Sequence, residues 1–205
     1  MKSPIPKEVA QPLSYTNRRG ATYFLHCKTT KTGKPRYFVA KTALPGALTE
    51  MPAGYEFCES INGIVSVRLK SSLPDLISES ELTVVRNELA RHPHLRQHVV
   101  AARKNQLVIY EPLGLPSEKE LQQLGQLFGR DLASIQTGLA AMQIRTQYTP
   151  VVKFAACPES PGEYLAYRRF YRGDGGWLLL SAGSLKELCR AYIAAIGTDQ
   201  FFELY

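Results

Sequence analysis

Two runs rich in β-branched and aromatic residues, Thr22 to Lys28 and Arg36 to Lys41, flank a polar segment containing Gly33 and Pro35. This spacing predicts a β-hairpin whose loop is longer than two residues. Alternation along a strand puts Tyr23, Leu25 and Cys27 on one face, where Tyr37 and Val39 can join them. Phe24, His26 and Lys28 then point the other way, beside Arg36 and Phe38 if the register permits. One face is apolar, and the other mixes rings with cations. A turn-rich connection with Pro45, Gly46, Pro52 and Gly54 follows. A second hairpin is predicted after it, with Asn62-Gly63 at the turn because both residues tolerate positive φ. Tyr55 and Phe57 share one face there, as do Val65, Val67 and Leu69 on the partner strand, with Glu56, Ser66 and Arg68 outward.

The period changes at Ser78. Ser78 with Glu81 fits a capping box, Leu82, Val85 and Leu89 recur at helical spacing, and the helix is predicted to end near His92-Pro93. Residues 98 to 111 predict another hairpin, turning at Lys104-Asn105. Ser117 with Glu120 opens a helix through Leu121, Leu124 and Phe128, and a further helix from about Asp131 to Arg145 aligns Leu132, Ile135, Leu139 and Met142. Residues 149 to 157 read as a strand and 163 to 183 as a hairpin turning at Asp174-Gly175-Gly176. Ser184 with Glu187 caps a last helix that carries Leu185, Leu188, Cys189, Tyr192, Ile193 and Ile196 up to Gly197. The FFELY tail after Gln200 is apolar enough to dock. The expected fold is α+β: an N-terminal four-stranded antiparallel meander packed on a mixed region of about four helices and two hairpins. The expected divisions are a flexible arm over 1–14, a basic antiparallel β module over 15–72, and an α+β region over 73–205.

Charge sharpens this picture. The 205 residues are 44% hydrophobic and 21% charged, as in folded chains, with a formal net charge of +7. Residues 1 to 70 hold 11 Lys and Arg against 4 Asp and Glu, and the remainder holds 14 of each, so the whole excess lies in the first third. Between Glu8 and Glu50 there is no acidic residue, while Arg18, Arg19, Lys28, Lys31, Lys34, Arg36 and Lys41 all fall inside. Such a surface, with Phe24, His26 and Phe38 interleaved, suits a nucleic acid, DNA or RNA, because cations meet phosphates and rings stack on splayed bases. The same residues also fit an ordinary hairpin with a solvated basic loop. The competing functional expectation is a protein-interaction or assembly subunit, working through residues 131–145, the C-terminal tail or an open sheet edge.

Other chemistry is sparse. No stretch approaches the roughly 20 apolar residues that span a bilayer, and MKSPIPKEVAQPL lacks the apolar core of a signal peptide, so a cytoplasmic protein without a membrane partner is expected. Cys27, Cys58, Cys157 and Cys189 show no C-x-x-C spacing and read as reduced small hydrophobes, with a Cys27 to Cys58 bridge as the alternative. His26 and Cys27, adjacent on a strand, face opposite ways and make a poor ligand pair. His92, His94 and His98 match no metal motif, and His92 suits a helix C-terminus. In RRFYRGDGGW, alternation spreads Arg168 and Arg169 over two faces among Tyr167, Phe170 and Tyr171. No phosphate loop or nucleophile elbow is present, and no catalytic residue, metal or cofactor is implied. An enzyme of unfamiliar type would require a deep pocket gathering these histidines with a carboxylate.

The runs Tyr15-Thr-Asn-Arg-Arg-Gly, Thr22-Tyr-Phe-Leu-His, Lys31-Thr-Gly-Lys-Pro-Arg-Tyr-Phe, Gly54-Tyr-Glu-Phe and Ile61-Asn-Gly-Ile-Val carry a resemblance. They are similar to a set of uncharacterised bacterial proteins with the pattern Y-x-N-R-x-G, T-Y-Y-L-H, T-K-T-G-K-P-R-Y-F, P-x-G-Y-E-I and N-G-x-V. The likeness covers mainly residues 15 to 70 and echoes in the closing FFELY. It implies no activity, and Cys27 and Cys58 depart from that set at their positions.

Overall fold

A computed structural model describes residues 11–70, 77–115, 146–170 and 175–204, with 120, 123, 126 and 127 as further helical positions. The chain divides into two compact units, Met1–Ser72 and Leu73–Tyr205.

The first unit holds β1 (Ser14–Thr16), β2 (Thr22–Thr29), β3 (Pro35–Ala40), β4 (Tyr55–Glu59) and β5 (Val65–Leu69). The expected four-stranded meander is corrected: β1-β2-β3 form one antiparallel sheet and β4-β5 a separate two-stranded one. Ser14, placed in the arm from sequence, belongs to β1 and pairs with Phe24. Leu48, in the connection after β3, explains why β4 does not continue the first sheet. Its N–H donates to Leu25 O (2.9 Å) and its carbonyl accepts from Leu13 N (2.8 Å), which ties the chain back across β2 before β4 begins.

One five-residue turn closes all three hairpins of this unit. At Asn17–Ala21, Thr30–Lys34 and Ser60–Ile64, the first N–H donates to the fifth carbonyl (2.9 Å each). The fourth residue is a glycine at positive φ, namely Gly20 at 76°, Gly33 at 78° and Gly63 at 71°. The first side chain accepts from the fifth N–H, through Asn17 Oδ1 (2.9 Å), Thr30 Oγ1 (3.1 Å) and Ser60 Oγ (3.1 Å). Only glycine takes that φ without a Cβ penalty. The two-residue Asn62-Gly63 turn is thereby corrected: Gly63 alone is left-handed, and Asn62 sits inside a three-residue loop.

The apolar faces of the two small sheets meet. Tyr15 lies 5.2 Å from Phe57 and Tyr37 4.6 Å from Tyr55, ring centroid to ring centroid, while Leu25 and Val65 are buried. Such ring pairs add stability beyond their buried area, which suits a unit with so few fully buried aliphatic residues. Asn17, 5% exposed, joins two of the turns by donating Nδ2–H to Gly63 O (2.6 Å).

The second unit departs further from expectation. β6 (Val99–Arg103), β7 (Gln106–Leu113), β8 (Gln147–Ala156), β9 (Glu163–Arg169) and β10 (Trp177–Ser184) form one antiparallel sheet in the order β10-β9-β8-β7-β6. Segments that read as two independent hairpins and a lone strand are therefore joined, because β8 pairs with β7 on one side and β9 on the other. The expectation of about four helices is corrected as well. Among the described residues the chain is mostly β, with the short α-helices α1 (Glu79–Ala90), α2 (Leu185–Tyr192) and α3 (Gln200–Glu203), a 3-10 turn at Pro93–Leu95 and the isolated helical positions 120, 123, 126 and 127. The helices predicted over 117–128 and 131–145, with the Leu132 to Met142 stripe, lie outside the described residues apart from the four isolated helical positions.

Capping chemistry was legible where the structure describes it. Ser78 and Ser184 each accept from the N–H three residues on, at Glu81 and Glu187, and those carboxylates bond back to the cap N–H. Val85 and Leu89 of α1, Leu188 and Cys189 of α2, and Phe201 of α3 bury against Leu107, Ile109, Val152, Phe154 and Ala166 of the sheet. Helix α2 stops at Tyr192, earlier than expected, and turns carry the chain to Gly197 at φ 77°.

Replacing Asn17 with Ala should cost about 2 kcal/mol, because the buried Gly63 carbonyl and two backbone N–H groups lose their partner. Thr30→Ala, at an exposed turn, should cost less than about 1 kcal/mol. Hydrogen exchange of the β2 and β4 amides in urea measures both, and equal costs would contradict the joining role given to Asn17.

Candidate nucleic-acid interface

The register of β2 against β3 settles which faces are shared. Leu25 opposes Val39, His26 opposes Phe38, Cys27 opposes Tyr37 and Lys28 opposes Arg36. Burial does not follow the simple alternation. In the inner half of β2 both Leu25 (0%) and His26 (3%) are buried, whereas Cys27, Lys28 and Thr29 are exposed. The contrast runs along the hairpin: its base is covered on both faces at Leu25 and His26, and its tip projects.

This divides the ten proposed contact residues. Lys28, Lys31, Lys34 and Arg36 gather at the tip, all exposed. Among the described residues, no carboxylate lies within 4.0 Å of any of them, nor of exposed Lys41, which follows β3 at the base. Arg18 and Arg19 sit in the turn before β2, the length of that strand away, roughly 3.3 Å per residue. There Glu59 of β4 serves Arg18, accepting from its N–H at 3.2 Å and lying 3.7 Å from its Nε. Glu59 also accepts from the Tyr15 hydroxyl at 2.9 Å, and this bond, then burial, raises the phenol's pKa. The Arg19 side chain lies over Gly63, so its aliphatic stem packs within the fold.

The aromatic contacts expected at this surface are not presented as open platforms. His26 is buried, stacked on Phe38 at 5.4 Å, with Nε2 3.2 Å from Thr42 O. Phe24 and Phe38 are half-buried. The sequence could not show this, since alternation says which residues share a face and not whether that face is covered.

Three cations of the second unit are engaged internally. Arg168 is 4% exposed and donates to Leu204 O (2.8 Å) and Phe202 O (3.3 Å), holding the tail whose Phe201 is buried. Lys153 lies 4.6 Å from the ring centres of both Tyr167 and Trp177, and its burial lowers its pKa. Arg169 stands 5.7 Å from the Trp177 ring centre. In RRFYRGDGGW, then, Arg168 anchors the tail and Arg169 stands against Trp177.

His92, His94 and His98 lie between α1 and β6. His94 Nε2 lies 3.1 Å from Ile196 O, and His92 lies 3.6 Å from Glu88, which also pairs with Arg91. A groove of about 440 Å³ is lined by Arg86, Leu89, Arg96, His98 and Val100 among others, with no carboxylate among its walls. Among the described residues no group of three or more His, Cys, Asp or Glu could hold a metal ion. All four cysteines are free, and burial pushes the Cys189 thiol up to about 12. No described helix is long and apolar enough to cross a membrane. The chain matches no protein-family model, no curated protein and no solved structure.

Lys28→Glu should stabilise the first unit by about 0.2–1 kcal/mol, since it turns a like-charge cross-strand pair into an opposite-charge one. Hydrogen exchange of β2 and β3 amides reads the gain, and a loss would show that Lys28 and Arg36 do not repel.

His98 supplies a pH test. Burial, then the neighbouring His94, lower its pKa from 6.5 to about 4, with the Leu95 carbonyl opposing in part. Between those values the unfolded chain holds the extra proton, so the neutral ring's contribution is complete above pH 6.5 and declines as pH falls towards 4. At about 1.4 kcal/mol per pH unit the loss is about 3 kcal/mol at most. Urea titrations read by Trp177, the one tryptophan, should show this slope, and His98→Leu should flatten it.

Proposed function

We propose that this chain is an accessory nucleic-acid-binding protein that meets phosphates through the tip of the β2–β3 hairpin. The observation that carries the reading is the exposed cluster of Lys28, Lys31, Lys34 and Arg36, which has no carboxylate within 4.0 Å among the described residues and in which Lys28 and Arg36 stand directly opposite each other. Like charges in that position cost stability, and a polyanion reverses the sign of that cost. Elsewhere in the same unit the cross-strand pair Arg68 and Glu56 is neutralised at 2.8 Å, so a self-compensated arrangement is available to this small β fold. Phosphate contact carries the affinity, with Lys41 as a contributor from the base. Arg18 and Arg19 serve the turn cluster first.

Affinity for mixed-sequence nucleic acid should fall with salt, each neutralised duplex phosphate adding about 0.9 to the log–log slope. Reversing Lys31, Lys34 and Arg36 to Glu should lower that slope by roughly 2 to 3 and abolish binding at moderate salt. Fluorescence anisotropy over a salt series checks this, and an unchanged slope would remove the reading.

A further inference from the structure

Resting on that reading, we infer that the partner is B-form duplex DNA and that the hairpin tip lies in its major groove. The segment from Cys27 to Arg36 contains no aromatic residue. The rings nearest to it are engaged in the fold: Tyr37 against Tyr55 at 4.6 Å, and Phe38 against His26 at 5.4 Å. A single strand binds such basic surfaces by stacking successive bases on exposed rings, and the tip offers none.

The tip has the shape that a duplex groove accepts. It is a two-stranded ribbon, with strands about 4.8 Å apart, and the major groove, about 12 Å wide, admits such a ribbon where the minor groove, about 6 Å, does not. Lys28 stands on one strand and Arg36 on the other, so a long cationic side chain can reach each phosphate wall. Exposed Thr29 supplies a short hydroxyl that can face a base edge, while the Thr32 hydroxyl bonds that of Thr30 at 3.0 Å within the turn. Duplex RNA is disfavoured, because its A-form major groove is too deep and narrow to enter.

The test uses the full chain with a mixed-sequence DNA duplex, each of its single strands, and the RNA duplex of the same sequence. The DNA duplex should bind at least about tenfold tighter than either single strand, the equivalent of one missing stacked base. Bound protein should also protect guanine N7, a major-groove atom, from dimethyl sulfate. Single strands binding as tightly as the duplex, or bound DNA with N7 fully reactive, would overturn the inference while leaving phosphate contact intact. RNA duplex binding equal to DNA would overturn the groove placement. Absence of binding to all three at low salt would overturn the proposed function itself. Lys28→Glu, expected to weaken DNA binding while raising hairpin stability, separates lost contact from lost fold.

Discussion

The turn at Thr30–Lys34 sets the geometry on which the rest of the candidate interface depends. Gly33 takes a left-handed φ of 78°, the loop closes with three residues, and β2 and β3 are locked in one register. A one-residue slip would move every side chain to the opposite face. In the observed register, Leu25 meets Val39 and Tyr37 reaches Tyr55, which binds the hairpin base to the β4-β5 ribbon. The same register forces Lys28 against Arg36 at the tip. The apolar base and the repulsive tip are two consequences of one constraint, and the base's packing offsets the repulsion.

Electrostatics then separates cations that look equivalent in the chain. The segment between Glu8 and Glu50 is free of acids, yet folding brings Glu59 from β4 to Arg18. Exposed pairs of this kind are worth little in stability, at most about 1 kcal/mol, but they fix where charge remains uncompensated. Within that segment, and among the described residues, the tip and Lys41 have no carboxylate within 4.0 Å. The second unit shows the complementary behaviour. Arg168 is satisfied by carbonyls of the tail, and Lys153 and Arg169 lie against aromatic rings. These three cations are used in holding the second unit together.

Local signals were legible in the sequence because they act over a few residues. The hairpins at Gly33, Gly63 and Lys104, the capping boxes at Ser78 and Ser184, and the apolar stripe through Val85 and Leu89 all appear where spacing put them. Faces were legible too, since alternation is a property of the strand itself: Leu25, Cys27, Tyr37 and Val39 do share one face.

By itself the sequence determined that a basic, acid-free hairpin opens the chain and that its apolar side chains alternate in register. Only the tertiary structure decided which cations stay bare, that His26 and Phe38 stack together at the base, and that β6 to β10 join in one sheet. The reason is range. Turn preference and alternation are set by neighbours along the chain, whereas burial, the partner carboxylate at Glu59 and the pairing of β7 with β8 depend on residues tens of positions away. Pattern cannot rank those contacts, because every exposed backbone edge offers the same hydrogen bonds.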